Sequence, residues 1–410
     1  MLLQLTDGTN TVTLSGDGGV LRGCTYFPQT PDADAEEVAE TAEITLRGPQ
    51  AQARAAVNGV ERMLRLAAAR QAGEDAPRVY AQYAAADGEP AYRSEVLEGR
   101  VTWSSDPGLR RLGDPAPTVQ AAVLWRRRPF WEGPEAALPS QQIANGPAGN
   151  TVLWSGVLGA LPAPARITLT NASGAALAAR RFYLFNDAGD SFGASGAFFY
   201  PTQAHAAWGA GLRHSDMLWR IDIPAASAAK MKGERRRILA AFAGVSENVY
   251  LRADLFANVD GYLLPMQEGV EARTGGPNGR DLLDLGAVNL PPAGDIGSPA
   301  AYAVVLTGWS DAAGSGSLRW LHIGPAAPSM TLKQQGFWLE AGASIVHDGM
   351  EGVSYLASAQ RFPVVEAAGG LTLRPSAPNR IRILFDEGVL FDPTRTLQVS
   401  GVYRPRRAAV

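Results

Sequence analysis

Along this chain apolar and polar residues alternate only in short runs, bounded by glycine, proline, asparagine or aspartate. Ala42-Glu43-Ile44-Thr45-Leu46 is one such run, Ile167 and Leu169 alternate with Arg166, Thr168 and Thr170 in a second, and Ile381, Ile383 and Phe385 mark a third. A period of two puts the apolar side chains on one face, as a half-buried strand requires and a helix does not. The 45 glycines and 28 prolines among 410 residues supply the turns that many short strands need.

One segment follows a different period. Pro49 suits a first helical turn, and Ala53, Val57, Val60, Leu64 and Ala67 recur at helical spacing until Gly73. The spacing predicts a helix over residues 49–72, with Glu61 and Arg65 four apart on its polar side. Strands are expected around it at residues 2–5, 11–14, 42–46, 78–84, 94–103 and 118–125. One helix on a small antiparallel sheet is therefore the reading for an N-terminal domain over residues 1–135.

From Phe130 to Asn150 neither period is visible and Pro, Gly and small polar residues accumulate, so 136–150 reads as a linker. Beyond it, strands are expected at 182–185, 218–223, 238–242, 249–256, 282–290, 302–306 and 318–323. Irregularly spaced short strands of this kind suit a two-sheet sandwich or jelly roll over 151–328. Residues 329–410, with a strand at 397–403, would complete or extend it. The expected fold class is mainly β: an N-terminal α+β domain, an antiparallel sheet with one helix, followed by a β-sandwich or jelly-roll region.

A net charge of −3 and an isoelectric point near 5.9, with no basic stripe, argue against nucleic acid as a partner. Cys24 is the only cysteine, which excludes an intrachain disulfide, a multi-cysteine zinc site and a redox pair. No basic segment followed by an apolar run opens the sequence, and no stretch of about 18 apolar residues occurs. Secretion through a signal peptide and membrane insertion are both unexpected.

Residues that could carry chemistry are scattered. His205, His214, His322 and His347 never fall at the close spacing that sets two imidazoles on one face. There is no GxSxG elbow, Gly314-Ser315-Gly316-Ser317 reads as a loop, and Thr274-Gly275-Gly276-Pro277-Asn278-Gly279 reads as an exposed loop ahead of a strand, not a phosphate loop. Asp216, Asp222, Asp254 and Glu340 are uninformative singly, since a glycosidase needs two carboxylates opposed across a cleft. No catalytic residue, metal site or cofactor is expected.

Among the tryptophans considered for sugar stacking, Trp208, Trp219, Trp309, Trp320 and Trp338, two belong to apolar strand faces. Trp219 shares parity with Ile221 and Ile223, and Trp320 lies in a mainly apolar strand. Trp208 and Trp309, near glycine and polar residues, remain as glycan contacts or loop anchors. Arg126-Arg127-Arg128 and Arg235-Arg236-Arg237 are read as inter-subunit contacts to carboxylates or as solvated strand ends, with Arg126, Arg127, Arg128, Arg235 and Arg236 as the contact candidates.

The first 135 residues resemble the N-terminal domain of tail proteins of long-tailed bacteriophages, of the distal tail or tail-tip type. The resemblance rests on the block from Ala42-Glu43-Ile44-Thr45-Leu46-Arg47-Gly48 to Ala69, on Leu97-Glu98-Gly99-Arg100-Val101, and on Trp125-Arg126-Arg127-Arg128-Pro129-Phe130-Trp131-Glu132-Gly133. The later region is similar to jelly-roll modules of such proteins through the segment from Leu161 to Asn171, Asp284-Leu285-Gly286-Ala287-Val288-Asn289-Leu290-Pro291, the segment from Asn379 to Phe385, and Tyr403-Arg404-Pro405-Arg406. It departs from a minimal distal tail protein in its length, with insertions near 193–212 and 267–280.

What the resemblance implies is a virion protein, made in the host cytoplasm and placed in the tail. It would form a homo-oligomeric ring, hexamer or trimer, that joins the tail tube to the tail-tip or baseplate proteins, with the jelly roll outward and no catalytic residues. Two other classes stand beside it: a glycan-binding module for host recognition, and a polysaccharide hydrolase.

Overall fold

Strands dominate the described residues, and the one long helix among them lies in the N-terminal region as the apolar spacing required. The computed structural model describes residues 1–16, 19–32, 34–103, 118–147, 149–178, 182–186, 198–213, 216–229, 235–259, 261–273, 282–290, 301–325, 330–331, 338–358, 370–385 and 391–410. The chain divides into two units: Met1–Ala136 with Leu158–Ala163 and Arg404–Val410, and Ala137–Val157 with Pro164–Tyr403.

The first unit contains β1 (Leu2–Thr6), β2 (Thr11–Thr13), β3 (Leu21–Thr25), β4 (Val38–Arg47), α1 (Gln50–Gln71), β5 (Val79–Ala84), β6 (Tyr92–Trp103), β7 (Thr118–Arg127) and β8 (Trp131–Glu132). The strands run β2-β1-β5-β6-β7-β4-β3, every pairing antiparallel. Alternation decides which side chains go inside: Ala42, Ile44 and Leu46 of β4 and Val123 and Trp125 of β7 are buried, together with Ala53, Val57, Val60, Leu64 and Ala67 of α1. The helix stops at Gly73, whose φ of +86° lets its N–H reach Arg70 O while the Glu74 N–H reaches Ala69 O. Arg65 and Glu61 do pair, at 3.2 Å, but in solvent, where such a pair contributes little.

α1 lies against β6, and Gly99 of β6 has no room for a side chain. A Cβ there would stand 2.6 Å from the Leu124 carbonyl oxygen and 2.8 Å from Leu64 Cδ2. Gly99→Ala is therefore expected to cost about 1–3 kcal/mol through overpacking, read as a lower midpoint in chemical denaturation.

The C-terminus belongs to this first unit, not to the β segment expected over 329–410. A short strand, Arg406–Arg407, pairs with β8; Pro405 O accepts from Gly133 N, and Arg406 O accepts from Ala160 N and Leu161 N. Arg406 also bonds Glu132 and lies 3.7 Å above the Phe130 ring.

The second unit opens with β9 (Ala136–Ala144), β10 (Thr151–Trp154), β11 (Ala163–Asn171), β12 (Leu177–Ala178) and β13 (Phe182–Asn186). It continues with β14 (Phe198–Phe199), β15 (His205–Trp208), β16 (Met217–Ile223), the short helix α2 (Ala225–Ala228), β17 (Arg235–Ala243), β18 (Tyr250–Val259), β19 (Tyr262–Gln267) and β20 (Glu271–Arg273). Then come β21 (Leu282–Asn289), β22 (Ala301–Trp309), β23 (Gly314–Pro325), β24 (Met330–Thr331), β25 (Trp338–Leu339), β26 (Ser344–Asp348), β27 (Val353–Leu356), β28 (Thr372–Leu373), β29 (Asn379–Phe385) and β30 (Thr396–Tyr403).

Residues 136–150 are not a linker: they carry β9, which pairs at the rim of the β27-β26-β11-β30-β9 sheet. An edge strand tolerates Pro139 and a solvated side, which is why no period shows there. Nor does 328 divide the region. Strands β10, β29, β13 and β24 form one sheet from both ends of the unit, and β14 to β23 are inserted between β13 and β24 as two further sheets. These are β14-β23-β17-β21, with β15 alongside, and β16-β22-β18-β19, with β20 alongside.

The two inserted sheets enclose a core of Trp219, Ile221, Phe242, Leu251, Leu255, Val304 and Leu306, among others. A second contact layer joins the β13–β29 sheet to the β17–β23 sheet through Tyr183, Phe185, Leu384, Leu239, Ala241 and Trp320. Gly314-Ser315-Gly316-Ser317, expected to be a loop, opens β23. The stretch 274–279 lies outside the described residues, as do parts of both expected insertions.

Candidate functional site

The arginines proposed for subunit contacts are largely engaged within their own unit. Arg127 shares the inward face of β7 with Val123 and Trp125, as Glu40 shares that of β4 with Ala42 and Ile44. Their side chains meet with no exposure to solvent, Arg127 Nη2 lying 2.7 Å from Glu40 Oε1. Arg127 further donates to Gln29 O and Arg128 O, Gln29 N donates to Glu40, and the guanidinium lies 4.5 Å from the Trp131 ring centroid. Burial pushes the Glu40 carboxyl above the usual carboxylate range, and the Arg127 guanidinium pulls it back. Arg126 bonds Glu37 at 2.6 Å and faces Glu98, and Arg128 bonds Glu95.

Arg236 is likewise inside, on a strand paired on both sides, and a neighbouring subunit cannot reach it in this form. Arg235 is exposed.

The two tryptophans proposed for sugar contact part company. Trp208 is 6% exposed and belongs to the core between the inserted sheets. Its partner across the strands is Gly314, where a Cβ would stand 2.8 Å from the indole; the glycine makes room for the ring. Trp208 is therefore an anchor and not a sugar platform. Trp309 is half-buried at the end of β22 and meets Tyr250 edge-to-face at 5.1 Å. Trp219 and Trp320 are buried, as the parity of the first and the apolar strand of the second required. His214 and the side chain of Trp338 lie outside the described residues.

Two histidines are structural. The His347 Nε2 accepts from the Leu371 N–H at 3.2 Å, which places the ring proton on Nδ1, facing the Ser354 hydroxyl at 2.9 Å. Burial lowers its pKa to about 4, against a smaller upward pull from Asp348. His322, among Phe185, Phe198 and the Arg382 charge, has neither ring nitrogen bonded among the described residues and is pushed well below the usual histidine range by burial and then by Arg382. The Cys24 thiol, pushed up to about 11 by burial, stays protonated. No group of three or more potential metal ligands occurs among the described residues, and among them no helix is long and apolar enough to cross a membrane.

A concavity in the second unit lies on the outward face of the β16-β22-β18-β19 sheet, opposite the core face that carries Leu251, Ala253, Val304 and Leu306. Its floor is Asp254 of β18 with Val305 and Thr307 of β22, all nearly buried although they point away from the core. Met217 of β16 rises on one side, and Met266 and Glu268 rise on the other. The volume is about 470 Å³, within the usual range of ligand sites, roughly 300–1,000 Å³.

The floor carries a fixed polar group. Arg252 and Asp254, two apart on β18, form an ion pair in which Nη2 donates to Oδ2 at 2.9 Å and Nε lies 2.8 Å from Oδ1. Gly269 N donates to Asp254 Oδ1, the Thr307 hydroxyl stands 3.5 Å from Oδ2, and Glu268 bonds Arg252 at 3.2 Å. Gly269 is required there, because a Cβ would overlap the Ala253 carbonyl. Along the same face, two residues further on each strand, stand Trp309 and Tyr250, with Arg273 5.5 Å from the Tyr250 ring centroid. Asp254 and Trp309 were each visible in the sequence; their common face was not, because it depends on the register of β18 against β22.

Compared with protein-family models, with curated proteins and with solved structures, the chain matches none of them.

Proposed function

We propose that the chain is a structural protein of a bacteriophage tail, forming a homo-oligomeric ring at the distal end of the tail tube and connecting the tube to the tail tip or baseplate. The observation that carries this reading is the open N-terminal sheet. Among the described residues no strand pairs with the outer side of β2 or of β3. Phe27, just beyond β3, is 75% exposed. Unpaired edges beside an exposed aromatic ring are a liability in a free monomer, and closed symmetric assembly covers them. The resemblance of residues 1–135 and of the later region to tail proteins supplies the place of assembly, the virion tail, with tube and tip proteins as the other partners.

Size-exclusion chromatography with light scattering at micromolar concentration tests the ring. A discrete multimer is expected, and Phe27→Asp is expected to shift it toward smaller species without loss of fold. A wild-type chain that stays monomeric throughout counts against the proposal.

A further inference from the structure

We propose that the groove on the outward face of the β16-β22-β18-β19 sheet is a carbohydrate-binding site, a role that the assembly reading neither requires nor supplies. A sugar ring offers an apolar face and a fringe of hydroxyls that both donate and accept. It is held by an aromatic or apolar surface beside polar groups whose directions are fixed in advance. This groove has both. Arg252 and Asp254 are ion-paired, with Nη2 donating to Oδ2, Gly269 N holds the carboxylate from a second side, and Glu268 bonds the guanidinium. Phe256 lines one end of the groove, and Trp309 and Tyr250 continue the same face beyond the other.

Other ligand classes fit less well. An anion would meet Arg252 already neutralised by Asp254 and Glu268, with Glu271 exposed nearby. A metal ion would find both Asp254 oxygens bonded. An extended peptide needs free backbone groups at a sheet edge, whereas β18 and β22, which make the floor, are paired on both sides. A flat apolar protein surface would bury the polar floor without satisfying it.

The test is calorimetric titration of the full chain with a panel of oligosaccharides: chitohexaose, maltohexaose, cellohexaose, a rhamnose oligomer and a galacturonate oligomer. At least one is expected to bind saturably with Kd on the order of 0.1 mM. Glu268→Ala, which removes only an exposed carboxylate, and Trp309→Ala are each expected to weaken that binding by about tenfold or more. Tyr200→Ala, at an exposed aromatic just beyond β14, is expected to leave it unchanged. Unaltered melting of Glu268→Ala separates a lost contact from a lost fold. Failure of every sugar in the panel to bind at millimolar concentration overturns the proposal, and so does binding that survives both Glu268→Ala and Trp309→Ala. A monomer that binds sugar would retain this site while removing the ring, and a ring that binds none would do the reverse.

Discussion

Glu40→Ala is expected to lower the stability of the N-terminal unit by about 3–5 kcal/mol. The reason is asymmetry. With both partners present, the Arg127 charge is met by Glu40, by two carbonyl oxygens and by the Trp131 ring, inside a region closed to water. Removing the carboxylate leaves a guanidinium that cannot shed its proton, still buried and short of its counter-charge. Arg127→Ala is expected to cost a similar amount by stranding Glu40, whose carboxyl is already pushed upward by burial. The pair exchanged together for apolar residues, Glu40→Leu with Arg127→Met, is expected to recover much of the loss. Urea denaturation followed by the fluorescence of Trp125 and Trp131 measures all four forms. A double variant no more stable than either single one would show that the pair's desolvation is not what the single changes expose.

Acid sensitivity is the second large effect. His347 has a folded pKa of about 4, against an ordinary value near 6.5 in the unfolded chain. Between these values the unfolded chain binds a proton that the folded chain refuses. The contribution of this group is therefore complete above about pH 6.5 and is lost as the pH falls toward 4, by roughly 3 kcal/mol in all. The geometry explains the refusal: a second ring proton would point at the Leu371 N–H, with only Asp348 nearby to favour the charge. His322 contributes with the same sign. Stability measured from pH 8 to 4.5 is expected to be flat at first and then to fall. His347→Gln is expected to be less stable at pH 8 but to lose part of the slope, and adding His322→Leu is expected to remove more of it. An unchanged slope in the double variant would place the acid response on carboxylates instead.

How far these features could be read from the sequence depends on whether they are local. The helix was fully legible: five apolar residues at helical spacing, a proline before and a glycine after, and each of the five is buried. Trp219 was legible through parity, and Trp320 through the mainly apolar strand around it. Parity also held the correct reading of Arg127, which lies two residues from Trp125 and four from Val123. The cluster of three arginines looked like one feature, whereas alternation sends the middle one inward and its neighbours out. Trp208 misled because Gly209 and Gly211 beside it suggested a loop, whereas it ends β15 and its ring is buried over Gly314 of β23, distant in the sequence.

Non-local features were not legible. β13 pairs with β29, about 200 residues on in the chain, and nothing in either segment announces that β14 to β23 intervene as separate sheets. The return of Arg406–Arg407 to β8 is of the same kind. The groove needs three registers at once, β16 against β22, β22 against β18 and β18 against β19, including the irregularities at Met217 and Leu255 that tilt its walls.

The central proposal is that this chain works as a ring in a phage tail, and the most direct measurement is electron microscopy of purified virions carrying the chain with an electron-dense label at its C-terminus. Label at the distal end of the tail tube in a closed rotational arrangement, and nowhere else on the particle, is the result expected. Particles without the chain, or with single copies in no symmetric arrangement, would contradict it.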